Sequence, residues 1–560
     1  MMMKRWWRAV GGWVVAVSAI TAASARAQAV PAVSARAQAV LAASAAAKAT
    51  AAAPTAPRAR MAARAPAPPL AEAQWPAAVT AALREAGVPL QALAVAIIPA
   101  GQNGPPGQSG PPGPPNPPGA AWLHQAELPM QPASTLKLVT SVVALDRLGP
   151  NHRGFTEVLT AAVQDADVLR GDVLLRGGAD PELELPQLWA LLSELRYQGI
   201  REIAGDIVFD RSLFRPGRSD VGLPAFDERP ERPYNVIPDA LHFNGSLMAL
   251  ELSSLTGQII GRLLPPLPGI EIDTSELQLT ERSCRDWDDD WQAPRISTTP
   301  EGLTRISLRG GFAKACVRRP ELQLLDRDQQ AQAQLRYLWQ QLGGQWAGRV
   351  REGLTPAGAR VLARRQARPW GELLRPLNKW SDNATTRLLF LSLGLKGMAA
   401  DAQATTAELA RREVLRWFDE QRIDATGLVL DNGSGLSRSE RITPWQLVQM
   451  LKVAQASKYA PDLLMSLPVA GVDGTLRNRL KTSPAAGLAR LKTGTLGNVT
   501  ALAGYVPDAQ GRVWIVAAMV NHERASQARP ALDALVDWLA RGGLGEGASA
   551  AEHRGPGRRH

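Results

Sequence analysis

The chain has 560 residues, 45% of them apolar, which is enough for about two to four domains with buried cores. Its net charge of +11 is compatible with peripheral association with a membrane or with cell-wall polymer, or with arginines spread over the surface without a partner. No run of Lys and Arg is interleaved with aromatic residues and the six histidines are scattered, so neither nucleic-acid binding nor a metal site is predicted.

The N-terminus has the pattern of an export signal. Basic residues within the first eight positions precede an apolar stretch at 9–23, and the small-residue pattern Ala-X-Ala follows at 25–27 and again at 27–29. The apolar stretch is short for a membrane anchor, so a cleaved signal peptide at 1–29 is the preferred interpretation.

Low-complexity sequence surrounds the first predicted elements. Residues 30–73 form an Ala- and Pro-rich spacer, in which the string Ser-Ala-Arg-Ala-Gln-Ala-Val of 24–30 recurs at 34–40. Glycines recur every third residue through much of 101–119, which predicts a polyproline-type insertion between two strands. The Gly- and Arg-rich end, 542–560, is predicted to be disordered.

Hydrophobic periodicity predicts helices and strands, with Gly and Pro marking their ends. At the front of the chain the pattern predicts helix 76–86, strands 93–98 and 121–127, and helix 133–148. In the middle it predicts strands 172–176, 206–210, 246–252 and 304–309 with helices 186–197 and 326–342. At the back it predicts helices 370–380, 383–394, 402–420 and 443–455, strands 499–506 and 513–521, and a last amphipathic helix through Leu532 and Leu539.

The simplest architecture is one α/β domain whose sheet takes strands from both ends of the chain. Residues 74–154 and 366–541 would form that domain, and 155–365 would be an insertion of one or two mixed domains. The two cysteines, Cys284 and Cys316, both lie in the insertion, and an even count in an exported chain predicts one disulfide.

The first of three short motifs is Ser134-Thr-Leu-Lys137, at the start of predicted helix 133–148. Residues at i and i+3 share a helix face, and a serine hydroxyl becomes a good nucleophile only when a base takes its proton. Lysine can be that base when burial or a neighbouring cation lowers its pKa. Alone, the pattern is equally typical of a helix N-terminal serine beside a solvated lysine.

The second and third motifs are Ser381-Asp-Asn383 and Lys492-Thr-Gly-Thr495. The second motif also has the composition of an N-cap for the helix that follows it. The third leads into the predicted strand at 499, where glycine lets a ligand approach the backbone closely. The order of the three motifs carries the argument, because it is typical of penicillin-binding proteins and class A β-lactamases.

The chain resembles the class C low-molecular-mass penicillin-binding proteins, the D-Ala-D-Ala carboxypeptidase/endopeptidase family, over about residues 74–541. Segments 130–140, 177–181, 431–437 and 471–476 are similar to blocks of that family. The resemblance implies an α/β (α+β) fold with a serine β-lactamase/transpeptidase-like domain, in which helices flank an antiparallel sheet and large mixed domains are inserted. It also implies hydrolysis of peptidoglycan stem peptides through an acyl-enzyme without a cofactor, acylation by penicillins, and a periplasmic location.

The resemblance assigns roles to matching residues. Ser134 is the nucleophile and Lys137 its base, while Ser381 relays a proton to the leaving amine and Asn383 lines the cleft. Lys492 faces the terminal carboxylate of the substrate and helps to lower the pKa of Lys137.

The residues after Lys492 complete the implied site. The hydroxyls of Thr493 and Thr495 would bind the same carboxylate, and Gly494 allows close approach. The backbone N–H groups of Ser134 and Thr495 would form the oxyanion hole.

Three alternatives stay open at this point: a serine β-lactamase, a non-catalytic cell-wall-binding protein on the same fold, and a secreted esterase that uses Ser134 and Lys137. Against the β-lactamase stand the large insertion and the lack of an obvious glutamate for deacylation. Ser434 lies in Gly-Ser-Gly but lacks the flanking glycines of a nucleophile elbow, so it is interpreted as part of a structural turn.

Overall fold

The computed structural model describes residues 72–101 and 121–544 of the chain. The predicted signal peptide and nearly all of the spacer, the glycine-rich insertion and the C-terminal tail lie outside these residues. Searched over the described segments alone, the chain has no helix that is both long and apolar enough to cross a membrane.

Local capping signals set the ends of several helices. Thr405 and Thr443 each form a capping box with the residue three positions later, and Gly87 ends the first helix in the left-handed conformation. The α-helices of the described segments are α1 (Ala77–Ala86), α2 (Lys137–Leu148), α3 (Leu185–Tyr197), α4 (Arg327–Gln341), α5 (Trp370–Trp380), α6 (Asn383–Gly394), α7 (Thr406–Glu420), α8 (Pro444–Ala456), α9 (Ala460–Ser466) and α10 (Arg529–Ala540).

The strands of the described segments form several separate sheets. In chain order they are β1 (Leu93–Pro99), β2 (Trp122–His124), β3 (Phe155–Thr160), β4 (Gln164–Asp165), β5 (Val168–Leu169), β6 (Val173–Gly178), β7 (Glu202–Ile203), β8 (Ile207–Asp210), β9 (Met248–Ser253), β10 (Ile260–Leu264), β11 (Ile270–Thr280), β12 (Trp291–Thr298), β13 (Thr304–Ala313), β14 (Val317–Arg318), β15 (Glu321–Leu322), β16 (Gln345–Trp346), β17 (Val350–Glu352), β18 (Arg360–Gln366), β19 (Arg490–Leu496), β20 (Val499–Pro507) and β21 (Val513–Asn521).

The central sheet has five antiparallel strands in the order β19-β20-β21-β1-β2. Strand β1, from the front of the chain, pairs with β21, from its end, with Leu93 opposite Val520 and Pro99 opposite Trp514. The expectation that one sheet draws strands from both ends of the chain is therefore confirmed.

Helices cover both faces of this sheet, which explains why β1, β20 and β21 are largely apolar. Successive side chains of a strand point to opposite faces. Accordingly, Leu93, Val95 and Ile97 pack with α1 and α10, whereas Ala94 and Ala96 pack with α2 and α8. The predicted arrangement of helices around an antiparallel sheet is confirmed.

Several element boundaries differ from those predicted, and one strand was not predicted. Strand β2 covers only three residues of the predicted 121–127, and α7 begins at Thr406 because Thr405 caps it. The motif at Lys492 does not merely lead into the strand at 499. It lies inside β19, an additional strand at the edge of the sheet, which the polar composition of the motif had hidden.

Residues 155–366 contribute no strand to the central sheet. One core in this region packs α3 and α4 against strands such as β6 and β8, and a second core surrounds β9, β13 and the buried Cys316. Cys284 and Cys316 form the predicted disulfide beside this second core. The domain limits 74–154, 155–365 and 366–541 stay a prediction.

Candidate active site

The Ser134 hydroxyl lies where a single turn of 3₁₀-helix, Ala133–Leu136, joins α2. Lys137 opens α2, and its Nζ lies 3.0 Å from Ser134 Oγ. Ser134 is half-buried whereas Lys137 is fully buried. The i, i+3 spacing therefore places a sheltered amine against a hydroxyl that solvent can still reach.

Two further oxygen atoms surround the Lys137 amine. Its Nζ donates to Asn383 Oδ1 and to the carbonyl of Ser434, each over 2.5 Å. A neutral amine has two N–H groups and one lone pair, so in that state it satisfies both oxygens and keeps the lone pair for the Ser134 O–H. The geometry thus fits a lysine that accepts the proton of Ser134.

Burial is the main cause that lowers the pKa of Lys137, to about 7. The carboxylates of Asp382 and Glu440 act in the opposite direction, and the guanidinium of Arg387 lowers the pKa further. A large share of the amine is then neutral near pH 7, which a general base requires.

The second motif forms the junction between α5 and α6. Ser381 ends α5 in the left-handed conformation, with φ 62° and ψ 42°, and the Asp382 side chain accepts the N–H of Thr385 as the N-cap of α6. The alternative interpretation of this motif as a helix cap is therefore also correct. The sharp turn leaves Ser381 half-buried at the cleft and Asn383 buried beside Lys137.

The inserted region reaches this junction directly. Asn383 Nδ2 donates to the carbonyl of Tyr234 over 2.9 Å, and Arg387, one turn further along α6, donates to the carbonyl of Val236. Because its amide N–H is engaged in this way, the oxygen of Asn383 faces Lys137. This contact could not be predicted from residue types, because any residue can supply a backbone carbonyl.

The third motif runs along edge strand β19. Lys492 is fully buried, and its Nζ donates to Ser381 Oγ and to the Thr493 carbonyl, each over 2.8 Å. Burial, followed by repulsion from Lys137, holds the pKa of Lys492 well below its usual range. This repulsion is mutual, so it agrees with the expectation that Lys492 helps to lower the pKa of Lys137, although burial is the largest cause at Lys137 and Arg387 adds to it.

Close packing explains the glycine of this motif. A Cβ at Gly494 would lie 2.6 Å from the Pro132 carbonyl oxygen and 3.1 Å from the Ser134 nitrogen. The strand therefore passes directly beside the turn that carries Ser134. Thr495, the next residue, is exposed, while Thr493 is buried with its hydroxyl 2.8 Å from that of Thr475.

The turn around Ser434 also contacts Lys137. Its hydroxyl is buried and donates to Asn432, as expected of a structural serine, while its carbonyl accepts from Lys137. Gly435 has φ +84°, and a Cβ there would lie 1.9 Å from the Ala133 carbonyl oxygen. The turn and the nucleophile's backbone are thus in direct contact.

Glu440 holds this turn in place, and sequence reasoning missed it. Its fully buried carboxylate accepts the N–H groups of Asp431, Asn432 and Gly433 over 2.9–3.1 Å. Burial raises the pKa of Glu440. A charged residue shortly after a glycine-rich block was the available signal.

The structure brings together all the residues that the sequence predicted for the site: Ser134, Lys137, Ser381, Asn383, Lys492, Thr493, Gly494 and Thr495. Within residues 72–101 and 121–544, no group of three or more His, Cys, Asp and Glu is arranged to hold a metal ion. The arrangement of a serine, a buried amine and a second buried lysine fits acyl transfer through a serine nucleophile.

Comparison with known proteins agrees with this chemistry. The chain matches the D-Ala-D-Ala carboxypeptidase 3 (S13) family over residues 118–542. It is 30% identical over 436 residues to a D-alanyl-D-alanine carboxypeptidase of Actinomadura sp., covering 73% of this chain and 76% of that one. It is 27% identical over 391 residues to the D-alanyl-D-alanine carboxypeptidase DacB of Haemophilus influenzae, covering 68% of this chain and 78% of that one.

The crystal structure of penicillin-binding protein 4 (dacB) from Haemophilus influenzae has the same fold, with a TM-score of 0.66 and 24% identity over 82% of this chain and 99% of that one. A complex of that protein with a β-lactam gives a TM-score of 0.62. Family match, sequence relatives and fold all agree, and the chain belongs to the D-Ala-D-Ala carboxypeptidase 3 (S13) family of serine peptidases.

Proposed function

We propose that this chain hydrolyses peptidoglycan stem peptides through a covalent acyl-enzyme on Ser134, acting both as a D-Ala-D-Ala carboxypeptidase and as an endopeptidase. The observation that carries the proposal is the 3.0 Å contact between Ser134 Oγ and the Nζ of a buried Lys137 whose pKa is lowered to about 7. Such a pair supplies both a nucleophile and its base without a cofactor.

In the acylation step, Ser134 Oγ attacks the carbonyl carbon of the penultimate D-alanine while the neutral amine of Lys137 takes the serine proton. The peptide C–N bond breaks and an ester forms. The leaving amine receives a proton from the Ser381 hydroxyl, which regains one from the neighbouring lysines; Lys492 Nζ lies 2.8 Å from Ser381 Oγ. Positioned proton transfer of this kind contributes about 10²–10⁴-fold to the rate.

Water completes the cycle. It attacks the ester carbonyl, Lys137 takes one water proton, and the bond to Ser134 breaks as the serine oxygen is reprotonated. The N–H groups of Ser134 and Thr495 form the oxyanion hole in both steps. The approach of Gly494 to the Ser134 nitrogen supports this role, because it brings the β19 backbone next to the nucleophile.

Recognition of the substrate's terminal carboxylate belongs to Lys492, Thr493 and Thr495. A fixed cation stabilises such a carboxylate, and the carboxylate in turn offsets the repulsion between the two buried lysines. Strand β19 pairs with β20 on one side, and on its outer side Arg490 pairs with Val469 at the start of the strand. Beyond that bridge no other described strand pairs with β19, so its outer side offers an extended peptide an edge to lie along.

Penicillins would acylate the same serine, because their β-lactam carbonyl and carboxylate occupy the places of the scissile carbonyl and the terminal carboxylate. The N-terminal signal pattern supports action in the periplasm, where peptidoglycan is found. Among the alternatives, a non-catalytic wall-binding protein is disfavoured by the short contact between Ser134 and Lys137.

The test is covalent labelling. Purified protein incubated with benzylpenicillin should gain the mass of one drug molecule on the peptide that contains Ser134, and Ser134→Ala should gain none. Turnover of a D-Ala-D-Ala peptide and of benzylpenicillin should be measured side by side, because a β-lactamase would release the drug rapidly whereas the proposed peptidase holds it. Labelling of Ser134→Ala would refute the assignment of the nucleophile.

A further inference from the structure

An exposed tryptophan lies immediately beside the second motif. Trp380 ends α5, directly before Ser381, and 63% of it is exposed. By contrast, Trp339, Trp417 and Trp514 are fully buried. A large apolar side chain that is left exposed directly beside the site residues is a candidate contact for a bound molecule.

A cation accompanies this indole. The Arg477 guanidinium lies over the Trp380 ring, with its central carbon 5.9 Å from the ring centroid, and the side chain of Arg477 is exposed. Val472, in the same loop as Arg477, is 61% exposed. The surface of Trp380, Val472 and Arg477, hereafter the rim surface, therefore combines apolar area with a positive charge.

The rim surface is continuous with the part of the site that contains Lys492. Arg477 follows the turn Gly474–Leu476, whose Thr475 hydroxyl lies 2.8 Å from that of Thr493. The same turn packs on the end of α5, since a Cβ at Gly474 would lie 2.6 Å from the Lys379 carbonyl oxygen. Ser381 is thus the residue directly after Trp380 of the rim surface. Thr493 is hydrogen-bonded to Thr475, which lies two residues before Arg477 of the rim surface.

We propose that the rim surface binds the peptide that departs with the leaving amine when a cross-linked stem peptide is cut. This inference rests on the proposed function, in which Lys492 and Thr493 bind the carboxylate of the leaving residue. When the leaving group is free D-alanine, it ends there. When it is the side-chain amine of a second stem peptide, the remaining peptide has to continue beyond that carboxylate.

The chemistry of the rim surface matches that continuation. A second stem peptide carries aliphatic side-chain carbons, which the Trp380 indole and Val472 can cover. It also carries further carboxylates, which Arg477 can pair with. The exposed indole and the guanidinium that lies over it then both contact the departing peptide.

The experiment compares two substrates with the full chain: a monomeric pentapeptide ending in D-Ala-D-Ala and a cross-linked dimer of stem peptides. Trp380→Ala and Arg477→Gln should each lower kcat/KM for the dimer by about three- to tenfold, as expected for a partly exposed contact, and mainly through KM. Both variants should keep kcat/KM for the pentapeptide within about twofold of wild type. Trp380→Phe should recover most of the loss.

Trp189, 40% exposed on α3 in the inserted region, offers a matched control, and Trp189→Ala should leave both substrates unaffected. Equal losses on both substrates would mean that Trp380 acts only on its neighbour Ser381, and that would overturn the inference, as would unchanged dimer cleavage. A wild-type enzyme that cuts the pentapeptide but not the dimer would also overturn it. Failure to cut either substrate would refute the proposed function itself.

Discussion

At the scale of single residues, the Lys137 amine determines what the site can do. It is fully buried, it contacts Ser134, and burial lowers its pKa to about 7. Asp382 raises the same pKa although its own side chain is exposed, and Arg387 lowers it. Since these two neighbours act in opposite directions, the base can be tuned without touching the nucleophile.

The pH dependence of kcat/KM should therefore rise with pH through an apparent pKa near 7, because only the neutral amine of Lys137 can take the serine proton. Asp382→Asn removes a carboxylate that stabilises the ammonium, so it should shift this rise to lower pH. Asparagine is also a good N-cap, so α6 should be retained. Steady-state rates between pH 5 and 9 measure the effect, and a rise that does not move in Asp382→Asn would contradict it.

The role in carboxylate recognition that we propose for Lys492 can be tested separately from proton transfer. Lys492→Ala should lower kcat/KM on a D-Ala-D-Ala peptide by about ten- to a hundredfold, since a charge-assisted contact is worth about 1.5–3 kcal/mol. The decisive comparison uses the same peptide with a C-terminal amide. Wild type should strongly prefer the acid, and Lys492→Ala should lose most of that preference. Equal losses on acid and amide would assign Lys492 to proton transfer alone.

At the scale of elements, three pieces of backbone meet around Lys137: the start of α2, the junction of α5 and α6, and the turn that contains Ser434. Edge strand β19 passes at Gly494 directly beside the turn that contains Ser134. The turn around Ser434 is held by Glu440, whose carboxylate binds three successive N–H groups. Its effect on catalysis is indirect, through the position of the Ser434 carbonyl.

Glu440→Gln should therefore act on kcat more than on KM. An amide oxygen accepts the three N–H bonds less strongly than a carboxylate, so the turn becomes less firmly held. The Ser434 carbonyl then positions Lys137 less well, and kcat should fall about tenfold. Removing the charge of Glu440 also lowers the pKa of Lys137, so the rise in the pH profile should move to lower pH. Glu413→Gln, which disrupts an ion pair with Arg147, is the matched control. A loss in stability with an unmoved pH profile would limit Glu440 to a structural role.

At the scale of the whole molecule, residues 155–366 contact the candidate active site directly. Their Tyr234 carbonyl fixes the amide of Asn383, and their Val236 carbonyl binds Arg387. The second core of this region contains Cys316 and its disulfide to Cys284, whereas the contacts to α6 come from a different stretch of chain. The disulfide and the active site should therefore be separable by experiment.

The double variant Cys284→Ser, Cys316→Ser should weaken the second core while sparing catalysis. In the chain-entropy model, closing a loop of this length contributes about 3–4 kcal/mol. Limited proteolysis with rising temperature should show earlier cleavage within 248–325 than in wild type, with acylation of Ser134 by benzylpenicillin intact at 25 °C. Thiol labelling of the unfolded, unreduced wild type should find no free thiol. Loss of acylation together with the disulfide would mean that the two regions are coupled.

Hydrophobic periodicity was enough to predict β1, β20, β21 and most helices, because those elements bury one or two apolar faces and their residues show it. It failed where strands are polar. Strands β11 and β12 were missed, because they carry ion pairs such as Arg295–Glu276 along an exposed face and no alternation marks them. Their neighbour β13 was predicted at 304–309, because Ile306 and Leu308 are apolar and buried. Strand β19 was missed for a related reason, since its centre is the catalytic motif.

Residue types and their order along the chain were enough to predict the candidate reactive groups, because a serine nucleophile, its base and a cation for a carboxylate each require a particular side chain. Which atoms hold those groups is visible only in the folded chain. The Lys137 amine meets a carbonyl 297 residues away, and the Asn383 amide meets one 149 residues away. Every residue except proline offers the same N–H and every residue the same C=O, so contacts made by the backbone leave no trace in residue type and appear only once the chain is folded.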